Sequence, residues 1–452
     1  MRADGASDVA IDTFRHYYER LAAGETGTLA ESDIEPVEDV PDAERLPEPP
    51  AARIAEVLDR TVSIRLNGGL GTSMGMTKAK SLLEAKDGLS FLDLIARQVL
   101  GLRERSGARL PLVLMNSFAT REDSLKALER YPGLSADLPP DFVQGRVPKI
   151  AEDGLAPVDW PDDPDLEWAP PGHGDIYTSL MTSGMLETLL DRGYEYAFVA
   201  NSDNLGATLE PSILAWFADE HLPFAMEVAD RTEADRKGGH IARRRDGGGL
   251  VLREVAQTPD DDMDAFQDTS RHRYFNTNNL WLNLRKLGEV MEERSGVLGL
   301  PMILNRKTVD PGDSSSPAVF QLETAMGAAI DVFEGAAALR VPRGRLAPVK
   351  TTSDLLVVRS DAYVLRDDAH VELAPERNGQ VPFVDLDSSY FKLLSEFDER
   401  FPKGPPSLVA CERLEVHGDV AFGSGVSVRG SVKVENDGDD RLVIDDGTVL
   451  EG

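Results

Sequence analysis

Two rhythms of apolar positions run along the chain. Largely apolar runs at Thr61 to Leu66 (TVSIRL), Leu110 to Met115 (LPLVLM), Tyr196 to Ala200 (YAFVA) and Phe224 to Val228 (FAMEV) have the length and residue types of strands buried on both faces. Between them, Leu92 to Arg103, Glu122 to Tyr131 and Ser179 to Arg192 carry apolar residues at helical spacing. Buried strands alternating with helices predict an α/β domain whose mixed, mostly parallel sheet is covered on both faces. The first strand runs straight into a glycine-rich turn, so ligand is expected at the carboxyl edge of the sheet.

The flanks read differently. Residues 9–23 place Ile11, Phe14, Tyr18 and Leu21 on one face of a helix, and Glu31 to Pro50 is an acidic, proline-bearing connection expected to wrap the next domain. Residues 238–257 predict a hairpin turning at Asp246-Gly247-Gly248-Gly249, with Arg243, Arg244 and Arg245 as a solvated strand end. After Pro402, valines at short intervals punctuated by Gly418, Gly423, Gly425 and Gly430 suggest a few coils of parallel β-helix, with an antiparallel meander as the alternative. The expected organisation is residues 1–59 packing on the core, 60–357 as the main domain and 358–452 as a small carboxyl-terminal domain.

Composition narrows the chemistry. With 48 Lys and Arg against 79 Asp and Glu, the formal net charge of −31 opposes nonspecific binding to nucleic acid or anionic membrane, so an anionic ligand must be captured by local cations. A single cysteine, Cys411, leaves no partner for an intrachain disulfide, and with no signal segment or apolar run of membrane length a cytoplasmic location is expected.

The strongest segment is Leu66 to Ser81, LNGGLGTSMGMTKAKS. Gly68, Gly69, Gly71 and Gly75 let backbone N–H groups approach a phosphate, and Lys80 can neutralise it. The spacing satisfies neither GxxxxGK[ST] nor GxGxxG. In PPGHGD, Gly172 and Gly174 flank His173, leaving the imidazole little side-chain cover, which suits donation to a phosphate or base edge. Asp203, in ANSDNLG at the carboxyl end of a buried strand, is a natural Mg²⁺ ligand, since that ion takes few protein carboxylates beside water and substrate phosphate. Asn276, Asn278 and Asn279 in FNTNNLWL offer amides that both donate and accept, as sugar hydroxyls require, and Gln321 to Thr324 is read as a helix start adding polar contacts. Arg343, Arg345 and Lys350 gather positive charge.

Taken in order, LNGGLGTSMG, Lys80-Ser81, DGLSFLDL, PLVLMNSF, PPGHGD, FVANSDNLGA, KGG, FNTNNLW, QLETAMGAAI and VKTTSDLL resemble the eukaryotic-type UTP-glucose-1-phosphate uridylyltransferases. The resemblance implies a Rossmann-like nucleotidyltransferase core, a small carboxyl-terminal β-helix and Mg²⁺-dependent conversion of UTP and glucose 1-phosphate to UDP-glucose and pyrophosphate. It also implies roles. Leu66, Asn67, Gly68 and Gly69 would hold the nucleotide, Gln144 the uracil and Gly172 the base. Lys80 and Lys350 would contact phosphates during catalysis, and Asp203 would bind Mg²⁺ beside the nucleotide. His173, Asn201, Ser202 and Asn278 or Asn279 would hold the sugar phosphate. Lys78-Ala79 stands where the family usually has Gly-Pro, which loosens the turn and makes Lys78 a second candidate for the phosphate.

The chemistry expected is direct in-line attack of the sugar phosphate on the α-phosphorus, since the attacking phosphate is already ionised and no activated nucleophile is visible. The rival readings are a UDP-sugar or UDP-N-acetylhexosamine pyrophosphorylase of the same fold, and a catalytically silent sugar-nucleotide sensor. Self-association through the carboxyl-terminal domain is left open.

Overall fold

A computed structural model describes residues 1–233 and 235–452. Its centre is a 10-stranded mixed sheet. Thr61–Asn67 lies in the interior of that sheet, parallel to Tyr196–Asn201 on one side and to Leu112–Asn116 on the other, and Leu112–Asn116 is followed in parallel by Asp141–Val143. These four strands point the same way, so Gly68, Ser117, Gln144 and Ser202 all leave the sheet at one edge. Every residue of Thr61–Asn67 but Leu66 is buried, as a strand covered on both faces requires. Beyond Tyr196–Asn201 the sheet turns antiparallel through Tyr274–Asn283, which also pairs with Phe224–Asp230.

Helix Phe91–Ser106 covers one face, opened by a Ser90/Asp93 capping box and closed by Gly107 at φ 73°. The single helix expected over Ser179 to Arg192 is instead two, Ile176–Thr182 and Met185–Asp191. The break has a local cause: Ser183 bonds back to the Ser179 carbonyl and Gly184 takes φ 73°.

Gln321 to Thr324 does not begin a helix. Ala318–Thr324 is a strand antiparallel to Met302–Thr308, with Val319 and Leu322 buried, and a helical turn starts only at Met326. Tertiary pairing supplies the backbone partners that a helix would have supplied, and it wins.

Helix Asp8–Ala22 forms as expected, and the acidic connection does more than wrap. Its Ile34–Pro36 adds an edge strand beside His240–Arg244, and just beyond its last residue, Pro50, Ala51–Asp59 forms a helix. The hairpin forms between His240–Arg244 and Leu250–Arg253, and of the three arginines at the turn end of its first arm two are paired, Arg244 with Asp331 and Arg245 with Glu35.

At the carboxyl end, Phe383–Leu386, Cys411–His417, Ser427–Glu435 and Val449–Glu451 stack in parallel, and Val420–Phe422 pairs in parallel with Leu442–Ile444, giving a β-helix stub rather than a meander. Its core of Phe391, Phe397, Val416 and Phe422 is continuous with Met74, Leu205 and Val349 below the glycine-rich loop. Among the described residues no helix is long and apolar enough to cross a membrane.

Candidate active site

The glycine-rich loop is anchored before it begins. Asn67 is buried and donates from Nδ2 to Asn116 Oδ1 and to Ser124 Oγ, each at 2.7 Å, locking the strand end to its neighbour. The chain then passes Gly68, where a methyl group would lie 2.6 Å from Gln144 Oε1, so the Gln144 amide rests directly on the loop backbone. The Lys80 N–H donates to the Gly69 carbonyl at 3.0 Å and closes the loop. That return carries the Lys80 ammonium to 2.7 Å from Asp203 Oδ2, while Lys78 is exposed.

Asp203 is set by the next strand. Ser202 donates from both its backbone N–H and its hydroxyl to the Leu66 carbonyl, and the Asp203 carbonyl accepts from the Val349 N–H at 3.1 Å. The turn after Tyr196–Asn201 is thus bonded to the strand that feeds the loop and to the segment that precedes Lys350.

The third wall comes from residues 170–175. A short antiparallel pair, Val147–Pro148 with Trp168–Ala169, brings Pro170 back beside the Gln144 turn. Gly172 has φ 79° and ψ 172°, a region open essentially to glycine alone, and a methyl group there would meet the Thr324 carbonyl at 2.5 Å. The strand read from sequence as a helix start is therefore the surface this loop lies on. His173 Nδ1 accepts from the Met326 N–H at 2.9 Å, which leaves the proton on Nε2. Burial lowers its pKa to about 4, so at neutral pH the ring is an uncharged donor. Asp175 ties the two loops together, accepting from the Gly145 N–H and from Ser179 Oγ at 2.6 Å each, and burial raises its pKa to about 6.

These groups enclose a cavity of about 340 Å³ lined by Leu66, Asn67, Gly68, Gly69, Lys80, Ser81, Gln144, Pro170, Gly172, His173, Asn201, Ser202 and Asp203. A larger cavity of about 620 Å³ lies beyond Leu205, between Gly206 to Ile213, Arg343 to Leu346 and residues 363–381. Volume does not choose between them; the smaller one holds the lysine–carboxylate pair and the strand-end amides.

Three expected residues lie outside the walls. Asn278 sits at φ 59°, and its amide and backbone are both held by Asn276, at 2.9 and 2.8 Å. Asn279 is buried, with Nδ2 3.0 Å from Glu227 and Oδ1 accepting from Asn204, so its amide is committed inside the protein. Lys350 is exposed, and it faces Glu254, whose pKa burial raises to about 7 against the opposing pull of that lysine.

Asp175 and the Met326 N–H are contributors that the sequence reading missed. Asp175 stood inside the PPGHGD segment, but the Met326 N–H has no side-chain signature.

Among the described residues no three His, Cys, Asp or Glu side chains cluster to form a metal site. Asp203 is the one carboxylate in the cavity wall, a donor set that suits a hard cation held mainly by phosphate oxygens and water.

A family model described as UTP–glucose-1-phosphate uridylyltransferase matches residues 11–429. The UTP–glucose-1-phosphate uridylyltransferase of Solanum tuberosum is 43% identical over 401 residues, 88% of this chain and 82% of that protein. That of Encephalitozoon cuniculi is 38% identical over 443 residues, 98% and 86% of the two chains. A mutant of UDP-glucose pyrophosphorylase from Leishmania major, solved in complex with UDP-glucose, superposes with a TM-score of 0.93 at 46% identity, covering 100% of this chain and 96% of that one. The chain belongs to the UTP–glucose-1-phosphate uridylyltransferase family.

Proposed function

We propose that the cavity transfers a uridylyl group from UTP to glucose 1-phosphate, releasing pyrophosphate, and that its walls divide the work as follows. Gln144, resting on Gly68, presents its amide to the uracil edge, Gly68 and Gly69 let the phosphates approach the backbone, and Gly172 lets its loop lie against Thr324 beside the base. Lys80 carries the positive charge that the phosphates need in a protein of net charge −31. The Nε2–H of His173 donates to the sugar phosphate without adding charge, and Asn201, Ser202 and Asn278 orient that substrate. Lys350, exposed and next to the Val349 N–H that bonds the Asp203 carbonyl, would supply a second positive charge to the transferring phosphate.

Both reactants are anions, so catalysis rests on placing donors and cations in advance rather than on a general base. Mg²⁺, held by Asp203 with phosphate oxygens and water, would neutralise charge on the nucleotide. Asp203 keeps Lys80 in place by its 2.7 Å contact, so the lysine is aimed before substrate arrives. A cytoplasmic enzyme fits the buried free thiol of Cys411, which burial holds at a pKa of about 11 and so keeps unreactive.

The observation that carries this reading is the Lys80–Asp203 pair, brought together at the common edge of the parallel strands beside Gln144 and His173. The test is pyrophosphate release with UTP, Mg²⁺ and glucose 1-phosphate, run beside galactose 1-phosphate, N-acetylglucosamine 1-phosphate and the Lys350→Ala variant. Release mainly with glucose 1-phosphate, and its loss in the variant, is expected. Equal release with galactose or N-acetylglucosamine 1-phosphate would make it a UDP-sugar pyrophosphorylase of broader range, and release with none would leave a binding protein.

A further inference from the structure

Glu227 occupies the centre of a buried charged network that no step above uses. It lies on Phe224–Asp230 and is fully buried. Its Oε2 accepts from Arg345 Nε at 2.7 Å and from Asn279 Nδ2 at 3.0 Å; its Oε1 accepts from Arg345 Nη2 at 2.7 Å and from Trp281 Nε1 at 3.0 Å. A second guanidinium, Arg65, is buried nearby with Nε and Nη1 unpartnered, and Glu227 is the negative charge that acts on it. Taking a carboxylate and a guanidinium this far from water costs about as much as their attraction returns, and an apolar pair of similar shape is often as stable or more so. Stability alone therefore does not account for the pair.

What the network does hold is the path to Lys350. The Arg345 carbonyl accepts from Asn204 Nδ2 at 3.1 Å, and Asn204 Oδ1 accepts from the Ala347 N–H at 2.8 Å. The Leu205 N–H donates to the Ala347 carbonyl at 3.2 Å, and the Val349 N–H donates to the Asp203 carbonyl at 3.1 Å. From Arg345 to Val349 the segment is bonded to the Asp203 turn, and Lys350 is the next residue. Arg345, gripped by a two-pronged contact, is the end from which this register is set.

We infer that Glu227 is a positioning residue: by clamping Arg345 it fixes the 345–350 segment on the Asp203 turn and so places Lys350 for the transferring phosphate. The inference rests on the role proposed for Lys350: Glu227 touches no substrate and acts by way of the segment that carries that lysine. A misplacement of about 1 Å at a reacting group costs about 100-fold in rate.

The test is a double-mutant cycle. Glu227→Gln, Arg345→Lys and Lys350→Ala are measured singly, and each of the first two is also combined with Lys350→Ala, all as full-length protein with UTP and glucose 1-phosphate. Glu227→Gln is expected to lower kcat by roughly 30- to 100-fold with KM for both substrates within about threefold, and to change kcat less than about twofold once Lys350 is already alanine. Arg345→Lys keeps the positive charge beside Glu227 and loses the fork, so it gives the same pattern in a folded protein should Glu227→Gln fail to fold. An equal loss with and without Lys350 would overturn the inference and leave Glu227 a structural residue. Full activity in Lys350→Ala alone would remove the role proposed for that lysine, and the inference with it.

Discussion

Lys78 and Lys80 differ only in where the backbone leaves them. The Lys80 N–H is bonded to the Gly69 carbonyl and its ammonium reaches Asp203, whereas Lys78 points into solvent. With Lys78-Ala79 before it, Lys80 thus still reaches Asp203. Lys80→Ala is expected to lower kcat/KM by about 100-fold or more, the usual scale for a donor aimed at developing charge, and Lys78→Ala by less than about threefold. Steady-state kinetics with UTP varied would separate them; comparable losses would make the two lysines partners. His173 carries a pH signature of its own. The folded protein keeps the ring neutral down to about 4, while the unfolded chain takes up its proton near 6.5. In that window the unfolded state binds more protons, so stability is fully present above 6.5 and is lost as the pH falls toward 4. Wild type should therefore lose more melting temperature than His173→Gln when both are taken from about pH 7 to about pH 5. Parallel melting curves would count against the neutral, Met326-bound ring.

At the scale of elements, the parts legible in sequence were those whose chemistry is local. The run TVSIRL ending in LNGG, and ANSDNLG closing the YAFVA strand, both state a buried strand and the loop it carries. The contact between them was not legible, because Leu66 and Ser202 meet through a backbone carbonyl that any residue would offer. The same reason hid strand Ala318–Thr324: its partner is Met302–Thr308, and its wall against Gly172 is made of Thr324 backbone. Sequence also does not separate Asn278 from Asn279, which share a residue type but not their burial. The Gly172 contact gives the element-scale prediction. In Gly172→Ala the new methyl must adopt φ 79° and meet backbone at 2.5 Å, so one of the two segments has to move. That glycine-only backbone conformation alone costs an alanine about 1–3 kcal/mol, and displacement of the loop should raise KM for UTP well beyond what that loss of stability explains. Thermal melting and UTP titration on the same preparation would check it; an unchanged KM would mean that the loop yields without disturbing the base site.

For the whole molecule, the point at issue is whether the carboxyl-terminal unit is a separate body. The boundary expected near residue 358 follows the end of the alternating strands and helices, yet the apolar core crosses it: Phe391, Phe397 and Phe401 share one cluster with Met74, Leu205 and Val349. Met74 belongs to the glycine-rich loop, Leu205 follows Asp203 by two positions and Val349 precedes Lys350, so the β-helix stub packs on the underside of the residues proposed to handle phosphate. At Gly75 the approach is close enough that a methyl group would lie 3.0 Å from Leu393 Cδ2. Unfolding the stub would expose the base of the loop, and the two should melt as one cooperative unit. Phe391 is fully buried in that shared core, and Phe391→Ala should cost about 3–5 kcal/mol through lost contact and the cavity left behind. Calorimetry is expected to give a single transition in wild type, moved as a whole to lower temperature in the variant, with UTP-dependent turnover disappearing along the same curve. If instead a first transition moved alone, and turnover survived until a second one, the stub would be an independent domain and the continuity of its core with the active-site loop would have no energetic weight.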